Sequence, residues 1–284
     1  ATVHFPIWHQ EIEDILVLKN NKGSEDNRVR KLDYSIQITK LFYERFIKDE
    51  DITLFSPHDV PGLYESFGMP EFDEMYEMYE RKTSISKRKV RAQELIGALL
   101  KERAETGRIY IMNLDHCNTH SSFKDKVYMS NLCQEITLPT TPLDHIDDEK
   151  GEIALCILSA INLGLIRDKD ELEGLCDLSV RALDEIIDYQ EYPIEAARIS
   201  AESRRSLGIG YIGLAHYLAK NHVSYGDKEA LQLVDETTEA FQYYLLKASN
   251  TLAQEKGKCE YFEKTKYSDG ILPIDTYKKD LDKI

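Results

Sequence analysis

The chain has 284 residues, of which 42% are hydrophobic and 31% are charged, so it is predicted to fold into one large or two modest globular units rather than to remain disordered. Its formal net charge of −15 argues against binding along a nucleic-acid backbone, because phosphate contacts need clustered Lys and Arg. No apolar run approaches the roughly 18–20 residues of a membrane helix and no signal peptide is recognisable, which favours a cytoplasmic protein with reduced thiols.

The first part of the chain, residues 1–106, is predicted to be mainly helical. Two apolar stripes at helical spacing support this prediction, namely Ile38, Leu41, Phe42 and Phe46, and then Phe72, Met75, Tyr76 and Tyr79. Between the stripes, the segment SPHDVPG is predicted to be a loop because its prolines and glycine interrupt regular structure. A third helix, over about residues 88–105, is expected to begin in the basic run KRKVR and to end at Gly107.

The next part begins with RIYIMNLD, which is predicted to be a short apolar strand. The following LDHCNTHS contains residue types that bind metals, in the order Asp115, His116, Cys117 and His120. A zinc site usually needs a second pair of ligands, and none is visible, so a polar turn is the preferred interpretation. Further on, EIALCILSAINLG (152–164) is apolar on both faces and predicts a buried strand that contains Cys156.

The stretch YMSNLCQEI places Asn131, Cys133 and Glu135 at two-residue spacing. In an extended segment this spacing points the three side chains to the same side, so that an amide, a thiol and a carboxylate would converge. Two alternatives stay open on the residues alone. A free cysteine is often only a small buried hydrophobe, and a Cys–His acyl-transfer enzyme would need an imidazole beside the thiol, for which His120 is the candidate.

The last part, residues 166–284, is predicted to alternate helices with short strands, which indicates an α/β fold. Helices are expected over residues 168–188, where Cys176 lies on the apolar stripe, and over residues 228–256, before Gly257. The segment GIGYIG has the G-x-G-x-x-G spacing of a dinucleotide-binding turn. Because no clear strand precedes it, close packing of a strand against a helix is preferred. The final YKKDLDKI predicts the start of another helix.

Several segments, taken in chain order, resemble the large (α) subunit of class I aerobic ribonucleotide reductase. They are HFPIWHQEIEDILVLKNNKG, ITLFSPHDVPGLY, TGRIYIMNLDHCNTHS, SNLCQEI, GEIALCILSAINLG, ALDEIIDYQEYP, RRSLGIGYIGLAHYLAK, YYLLKASNTLAQEKG and GILPIDTYKKDL. The resemblance covers essentially the whole chain. It implies an α/β fold that forms part of a ten-stranded α/β barrel with helical layers outside. On this basis residues 1–106 would be a helical part, 107–165 the finger loop and barrel strands, and 166–284 further helices and strands.

The resemblance also implies a chemistry for the Cys133 segment. Cys133 takes the position of the finger-loop cysteine that becomes a thiyl radical and abstracts hydrogen from C3′ of a ribonucleoside diphosphate. Glu135 matches the residue that accepts the 3′-hydroxyl proton, and Asn131 matches the amide that hydrogen-bonds the ribose hydroxyls. Cys156 matches one of two reducing cysteines, whose partner lies on an earlier strand in the family. Arg108 and Tyr110 are candidates for ordering the radical path, with strand packing as their alternative role.

The same resemblance implies no directly bound cofactor or metal. The radical would come from a metal-containing β (R2) subunit, electrons from thioredoxin or glutaredoxin, and ATP or dNTP effectors would bind mainly outside these residues. The expected partners are the remaining α-subunit segments and a second α subunit, with no nucleic acid and no membrane. Since several family elements fall outside the sequence, we expect a middle section from a split or intein-interrupted gene or an engineered piece. A catalytically inert scaffold, when alone, is the alternative.

Overall fold

The computed structural model describes residues 1–146 and 148–276, and the predicted helix start at 277–284 lies outside the described residues. The chain divides into two compact units, each described by itself below. The first comprises residues 1–139 and the described residues from 265 onward, and the second comprises residues 140–264. Within the described parts of the chain, we find no helix long and apolar enough to cross a membrane.

The first unit is a mixture of short strands and helices. In chain order it contains β1 (Thr2–Pro6), α1 (Ile12–Leu16), β2 (Asp33–Ile38), α2 (Lys40–Ile47), β3 (Asp51–Phe55), α3 (Leu63–Ser66), α4 (Phe72–Arg81), β4 (Lys87–Arg91), α5 (Ala92–Thr106), β5 (Ile109–Asn113) and α6 (Leu114–Thr119). The prediction of a mainly helical part over residues 1–106 therefore omitted four strands. Their short length hides them, because five or six residues show too little alternation to stand out from neighbouring helices.

The main sheet of this unit is parallel and has the strand order β1-β2-β5. Its two faces differ in character because side chains alternate along each strand. Tyr34, Ile36 and Ile38 of β2 point into the apolar core together with Ile109 of β5, and all four are buried there. The opposite face of β2 is polar, and it is this face that receives the segment around Cys133.

The basic run KRKVR was predicted to begin a helix, and this prediction is wrong. It forms β4, which pairs antiparallel with β3, and the helix α5 begins only at Ala92. The ladder to β3 pairs one edge of the run's backbone, while Arg88 and Arg91 form ion pairs with Glu13 and Asp49. The predicted end of the helix is confirmed, since Gly107 adopts φ +63° directly after α5.

The second unit packs helices on a parallel strand pair. It contains β6 (Ile157–Asn162), α7 (Lys169–Tyr189), α8 (Glu195–Arg204), β7 (Leu207–Ile212), α9 (Leu214–Lys220) and α10 (Lys228–Lys256), with β6 paired to β7. The helices predicted over 168–188 and 228–256 are confirmed as α7 and α10. Asp168 caps α7 by accepting a hydrogen bond from the Glu171 backbone N–H. The helix α8 was not predicted.

The strand predicted over 152–164 is shorter and less buried than expected. Only Ile157–Asn162 is extended into β6, and Leu158 on that strand is 55% exposed. Only one face of β6 is buried, and on that face Ile157 and Ile161 pack against α7 and its neighbours. Across the described residues the sheets have three, two and two strands, so the architecture is mixed helix and sheet without a closed barrel.

Candidate active site

The segment of residues 128–136, called the Cys133 loop here, forms a turn and not the extended strand that the two-residue spacing predicted. The backbone N–H of Gln134 donates to the carbonyl of Asn131 at 3.2 Å. Gln134 has φ +63°, in the left-handed region that non-glycine residues rarely adopt. This turn reverses the chain around Cys133. The expected alternation of Asn131, Cys133 and Glu135 on one strand face is therefore wrong, although all three lie on one short loop.

The turn exposes the two groups with reactive chemistry. Cys133 and Glu135 are both exposed, whereas Asn131 is half-buried. The side-chain oxygen of Asn131 accepts a hydrogen bond from the backbone N–H of Ile136 at 3.1 Å, which closes the loop. The amide oxygen is thus used inside the loop, and the amide NH₂ is the part of Asn131 that can donate to a ligand.

The start of the loop is fixed by the side chain of Asn118, at the end of α6. The side-chain oxygen of Asn118 accepts a hydrogen bond from the backbone N–H of Val127 at 2.8 Å, and its side-chain NH₂ donates to the Val127 carbonyl at 3.1 Å. Asn118 thus pairs with Val127 as the backbone of a neighbouring strand would. Val127 itself is fully buried in the core of the first unit. Beyond the turn, the Gln134 side chain donates to the carbonyl of Ile111 on β5 at 2.6 Å. The loop is therefore held on both sides of Cys133.

The two candidates for the radical path lie at the start of β5. Arg108 is exposed and precedes the strand, and Tyr110 is half-buried within it, in register with Ser35 of β2. Tyr110 is the residue directly before Ile111, whose carbonyl binds Gln134. The structure thus places Tyr110 on the strand that contacts the Cys133 loop.

Cys156 lies in the second unit, and the prediction that it sits inside a buried strand is wrong. It is exposed and directly precedes β6. The segment before it is fixed by Glu152, whose carboxylate accepts hydrogen bonds from Arg204 at 2.9 and 2.8 Å and from the Thr141 hydroxyl at 2.7 Å. Both members of the Glu152–Arg204 ion pair have side chains that are only 2% exposed. The buried Glu152–Arg204 ion pair therefore fixes the chain a few residues before the exposed thiol of Cys156.

Burial alone would raise the pKa of Glu152, but the hydrogen bonds from Arg204 and Thr141 outweigh it and lower the pKa below its ordinary value. Glu152 is consequently ionised throughout the physiological range.

The pKa of the Cys176 thiol shifts in the opposite direction, because burial on α7 raises it to about 11, with a further contribution from Glu173. Its assignment to the apolar core is confirmed.

The glycine-rich GIGYIG segment serves close packing, but against strand β6 and not against a helix as predicted. Gly208 and Gly210 lie within β7, and a Cβ on Gly208 would stand 2.4 Å from Cδ2 of Leu158. Gly213 adopts φ +75° between β7 and α9, and a Cβ there would stand 2.3 Å from the Asn162 side-chain oxygen. Gly208 and Gly213 thus permit close approach of the β6 and β7 segments.

The segment LDHCNTHS forms α6 and its C-terminal end, where the Asp115 carboxylate accepts the backbone N–H of Lys40 at 2.8 Å. His116 and His120 contact each other edge to face, with ring centroids 5.8 Å apart. In the ranges that the structure describes, no group of three His, Cys, Asp or Glu side chains is arranged to hold a metal ion.

Sequence reasoning missed the residues that hold the Cys133 loop from the sheet, chiefly His4 of β1 and Gln37 of β2. A signal for them was present. In DYSIQIT the polar Asp33, Ser35 and Gln37 alternate with apolar residues, which indicates a strand whose second face is polar. A buried polar face needs hydrogen-bond partners, and a neighbouring loop is a natural source of them.

Comparison with known proteins identifies relatives along the entire chain. A family model described as "Ribonucleotide reductase, barrel domain" matches residues 1–283. The chain is 61% identical over 289 residues to the protein named ribonucleoside-diphosphate reductase subunit alpha from Haemophilus influenzae. It is 59% identical over 289 residues to ribonucleoside-diphosphate reductase 1 subunit alpha from Escherichia coli K12. It is 45% identical over 292 residues to ribonucleoside-diphosphate reductase subunit alpha from Enterobacteria phage T4. Each comparison covers 100% of this chain and 38% of the relative.

Proposed function

Because the chain belongs to the ribonucleotide reductase barrel-domain family, we propose that it supplies the radical-bearing loop of a ribonucleoside-diphosphate reductase α subunit. The proposed reaction converts ribonucleoside diphosphates into deoxyribonucleoside diphosphates. The chain spans 38% of the length of these curated relatives, and the complete enzyme would add the rest of the ten-stranded α/β barrel. The observation that carries the proposal is the exposed Cys133 thiol, held on a closed turn between Asn131 and Glu135.

In the proposed first step, the Cys133 thiyl radical takes a hydrogen atom from C3′ of the ribose. The S–H bond re-forms, the C3′–H bond breaks, and the unpaired electron moves to C3′. An exposed sulfur on a rigid turn supports this role, because hydrogen abstraction requires the reacting atoms to meet in a narrow range of distances and angles. The later return of the same hydrogen atom to C3′ would restore the Cys133 radical.

The neighbouring side chains have complementary roles. The exposed carboxylate of Glu135 would take the proton of the 3′-hydroxyl, and one of the two reducing thiols would give a proton to the 2′-hydroxyl, which then leaves as water. Asn131 would donate from its NH₂ group to a ribose hydroxyl oxygen, since its side-chain oxygen already accepts the Ile136 backbone N–H. This geometry supports a role for Asn131 as a donor rather than an acceptor toward the sugar.

Replacement of the 2′-hydroxyl by hydrogen needs two electrons, and we assign one of the two reducing thiols to Cys156. Its exposure directly before β6 supports access by substrate and by an external reductant. The pair would end as a disulfide, to be reduced by thioredoxin or glutaredoxin. A β subunit would generate the radical, with Tyr110 and Arg108 ordering its path. A homodimeric, cytoplasmic α subunit regulated by nucleotides bound elsewhere completes the proposal.

A Cys–His acyl-transfer activity has less support. The imidazole that contacts the Cys133 loop within the described residues is that of His4, and its Nε2 atom meets the backbone of Ser130. The other candidate, His120, lies at the end of α6. Neither arrangement supplies the thiol–imidazole hydrogen bond that such catalysis uses.

The test is reconstitution of turnover. The chain is mixed with polypeptides that supply the rest of the α subunit, a radical-generating β subunit and a dithiol, and deoxynucleotide formation is measured. We expect Cys133→Ser to abolish turnover, and Cys259→Ser, at a half-buried thiol with no proposed role, to leave it within about twofold of wild type.

Assembly is verified for every mixture by sedimentation. Turnover by the assembled Cys133→Ser mixture would refute the assignment of the radical to Cys133. No turnover by the wild-type mixture despite full assembly would refute the proposed function and favour an inert scaffold.

A further inference from the structure

The polar face of the β1-β2-β5 sheet lies under the Cys133 loop. The strand register brings His4, Ser35 and Tyr110 side by side across the three strands, and the next polar position along β2 is Gln37. Ser35 and Gln37 are both fully buried. Buried polar side chains are costly unless they are hydrogen-bonded, and of these two side chains it is Gln37 that has a partner on the loop.

Gln37 finds its partner on the loop. Its Nε2 atom donates to the carbonyl of Tyr128 at 2.6 Å, at the point where the chain leaves the buried Val127. The bond joins β2 to a residue far along the chain, and its donor is shielded from water because Gln37 is fully buried. A hydrogen bond in such surroundings is hard to exchange for one with solvent, and it fixes the height of the loop above the sheet.

His4 on β1 holds the next part of the loop. Its Nε2 atom lies 3.2 Å from the carbonyl oxygen of Ser130 and 3.3 Å from the backbone nitrogen of the same residue. Burial lowers the pKa of His4, and the backbone contact with Ser130 opposes this only partly, so the imidazole is neutral at neutral pH. A neutral ring can accept the Ser130 N–H or donate to its carbonyl, according to its tautomer.

A third hydrogen bond also joins β1 to the Cys133 loop, since the hydroxyl of Thr2 donates to the carbonyl of Leu132 at 2.8 Å. Thr2 and His4 thus bind alternate residues of the loop, ending at the residue directly before Cys133. These contacts leave the apolar core untouched, because they lie on the sheet face opposite Tyr34 and Ile36. Their removal would loosen the loop without dismantling the sheet.

We propose that His4 and Gln37 are positioning residues that set the location of the Cys133 sulfur by holding the backbone of its loop against the sheet. The catalytic consequence rests on the proposed function above, whereas the mechanical role does not. Neither residue touches the reacting atoms. They act through the loop backbone, so their loss should reduce the rate of the chemical step more than substrate binding.

The mechanical role is tested by amide hydrogen exchange of the full chain, measured by mass spectrometry on peptides that cover residues 127–136. His4→Phe and Gln37→Leu keep the size of each side chain and remove its polar atoms. We expect exchange in this segment to rise about fivefold in each, the factor that corresponds to loss of one hydrogen bond. His4→Gln, which returns a polar atom near the Nε2 position, should restore most of the protection.

Ser35→Ala is the matched control, because Ser35 is buried on the same face of the same sheet and its hydroxyl makes no hydrogen bond to the loop within the described residues. It should leave exchange of the segment unchanged. Exchange of the peptides from β2 reports whether each variant keeps the sheet. Unchanged loop exchange in His4→Phe and Gln37→Leu with an intact sheet would overturn the proposal, and so would an equal effect of Ser35→Ala.

The catalytic consequence is tested in the reconstituted mixture. For both variants we expect kcat to fall about tenfold while KM stays within about twofold, and we expect His4→Gln to recover kcat. A rise in KM with unchanged kcat would overturn the positioning role in catalysis. If the wild-type mixture were inactive, the proposed function would fail, and the exchange data would still decide whether these residues hold the loop.

Discussion

The buried ion pair between Glu152 and Arg204 offers a quantitative test of how the segment before Cys156 is fixed. Both side chains are 2% exposed, and the carboxylate accepts two hydrogen bonds from the guanidinium and one from Thr141. Replacing Glu152 with Leu removes the carboxylate that accepts two hydrogen bonds from the buried guanidinium of Arg204. A broken buried pair of this kind costs about 3–5 kcal/mol of unfolding free energy, so we expect a loss in this range.

The double variant Glu152→Leu/Arg204→Met separates the buried charge from the packing. Since it removes both charges and keeps most of the volume, we expect its stability to lie within about 1 kcal/mol of wild type. The assay is urea unfolding at pH 7, followed by hydrogen exchange of peptides from α7 and α8. A loss below about 1 kcal/mol in Glu152→Leu, or no recovery in the double variant, would contradict the reasoning.

The same pair predicts a pH dependence with a defined sign. The pKa of Glu152 is lower in the folded protein than its ordinary value of 4.5, so the unfolded chain binds more protons as the pH falls. The stabilisation is complete above pH 4.5 and is lost as the pH drops through the folded pKa. In the double variant this acid-sensitive part should be absent, which a pH series of urea midpoints would show.

Two further predictions concern the glycines and the thiols. Gly213→Ala should lower the unfolding free energy of the second unit by about 1–3 kcal/mol in urea, because φ is +75° and the new Cβ would stand 2.3 Å from the Asn162 side-chain oxygen. The control Gly210→Ala, whose Cβ would meet no atom within 4 Å, should cost less than about 1 kcal/mol. Equal costs for the two variants would refute this explanation. Iodoacetamide at pH 8 should alkylate the exposed Cys133 and Cys156 at least about tenfold faster than Cys176, because Cys176 is buried and its thiol pKa is raised to about 11. Peptide mass spectrometry would measure the labelling rates. Rapid labelling of Cys176 in the folded chain would contradict its burial.

Elements with a long hydrophobic period were predictable from the sequence. The stripes through Phe72 and Tyr76 and through Leu172 and Cys176 are core faces of α4 and α7, and α10 ends before Gly257 as expected. A period of about 3.6 residues, sustained over several turns, is typical of an amphipathic helix and does not suit a strand. The strands were harder to predict, because β4 is dominated by Lys and Arg and reveals itself only by pairing with β3.

The residues of the candidate site could be proposed from the sequence, but their geometry could not. The sequence shows the thiol, amide and carboxylate of the Cys133 loop, but not the turn at Gln134, whose left-handed backbone is held by a bond to Ile111. That bond is formed between residues far apart in the chain, as are those of His4 and Gln37. Local patterns carry no information about such partners, so the placement of the loop could only come from the fold.

The bonds from β1 to the Cys133 loop also bear on the order of folding. Thr2 and Leu132 are 130 residues apart, and His4 and Ser130 are 126 apart, so these contacts close very long loops of chain. Closure of that length carries a large entropic cost until nearby structure has formed. We therefore expect the parallel sheet to assemble before the loop settles, so that the thiol reaches its fixed location late in folding. A partly folded chain would carry Cys133 on a free segment, so the ordered site itself reports that the first unit is complete.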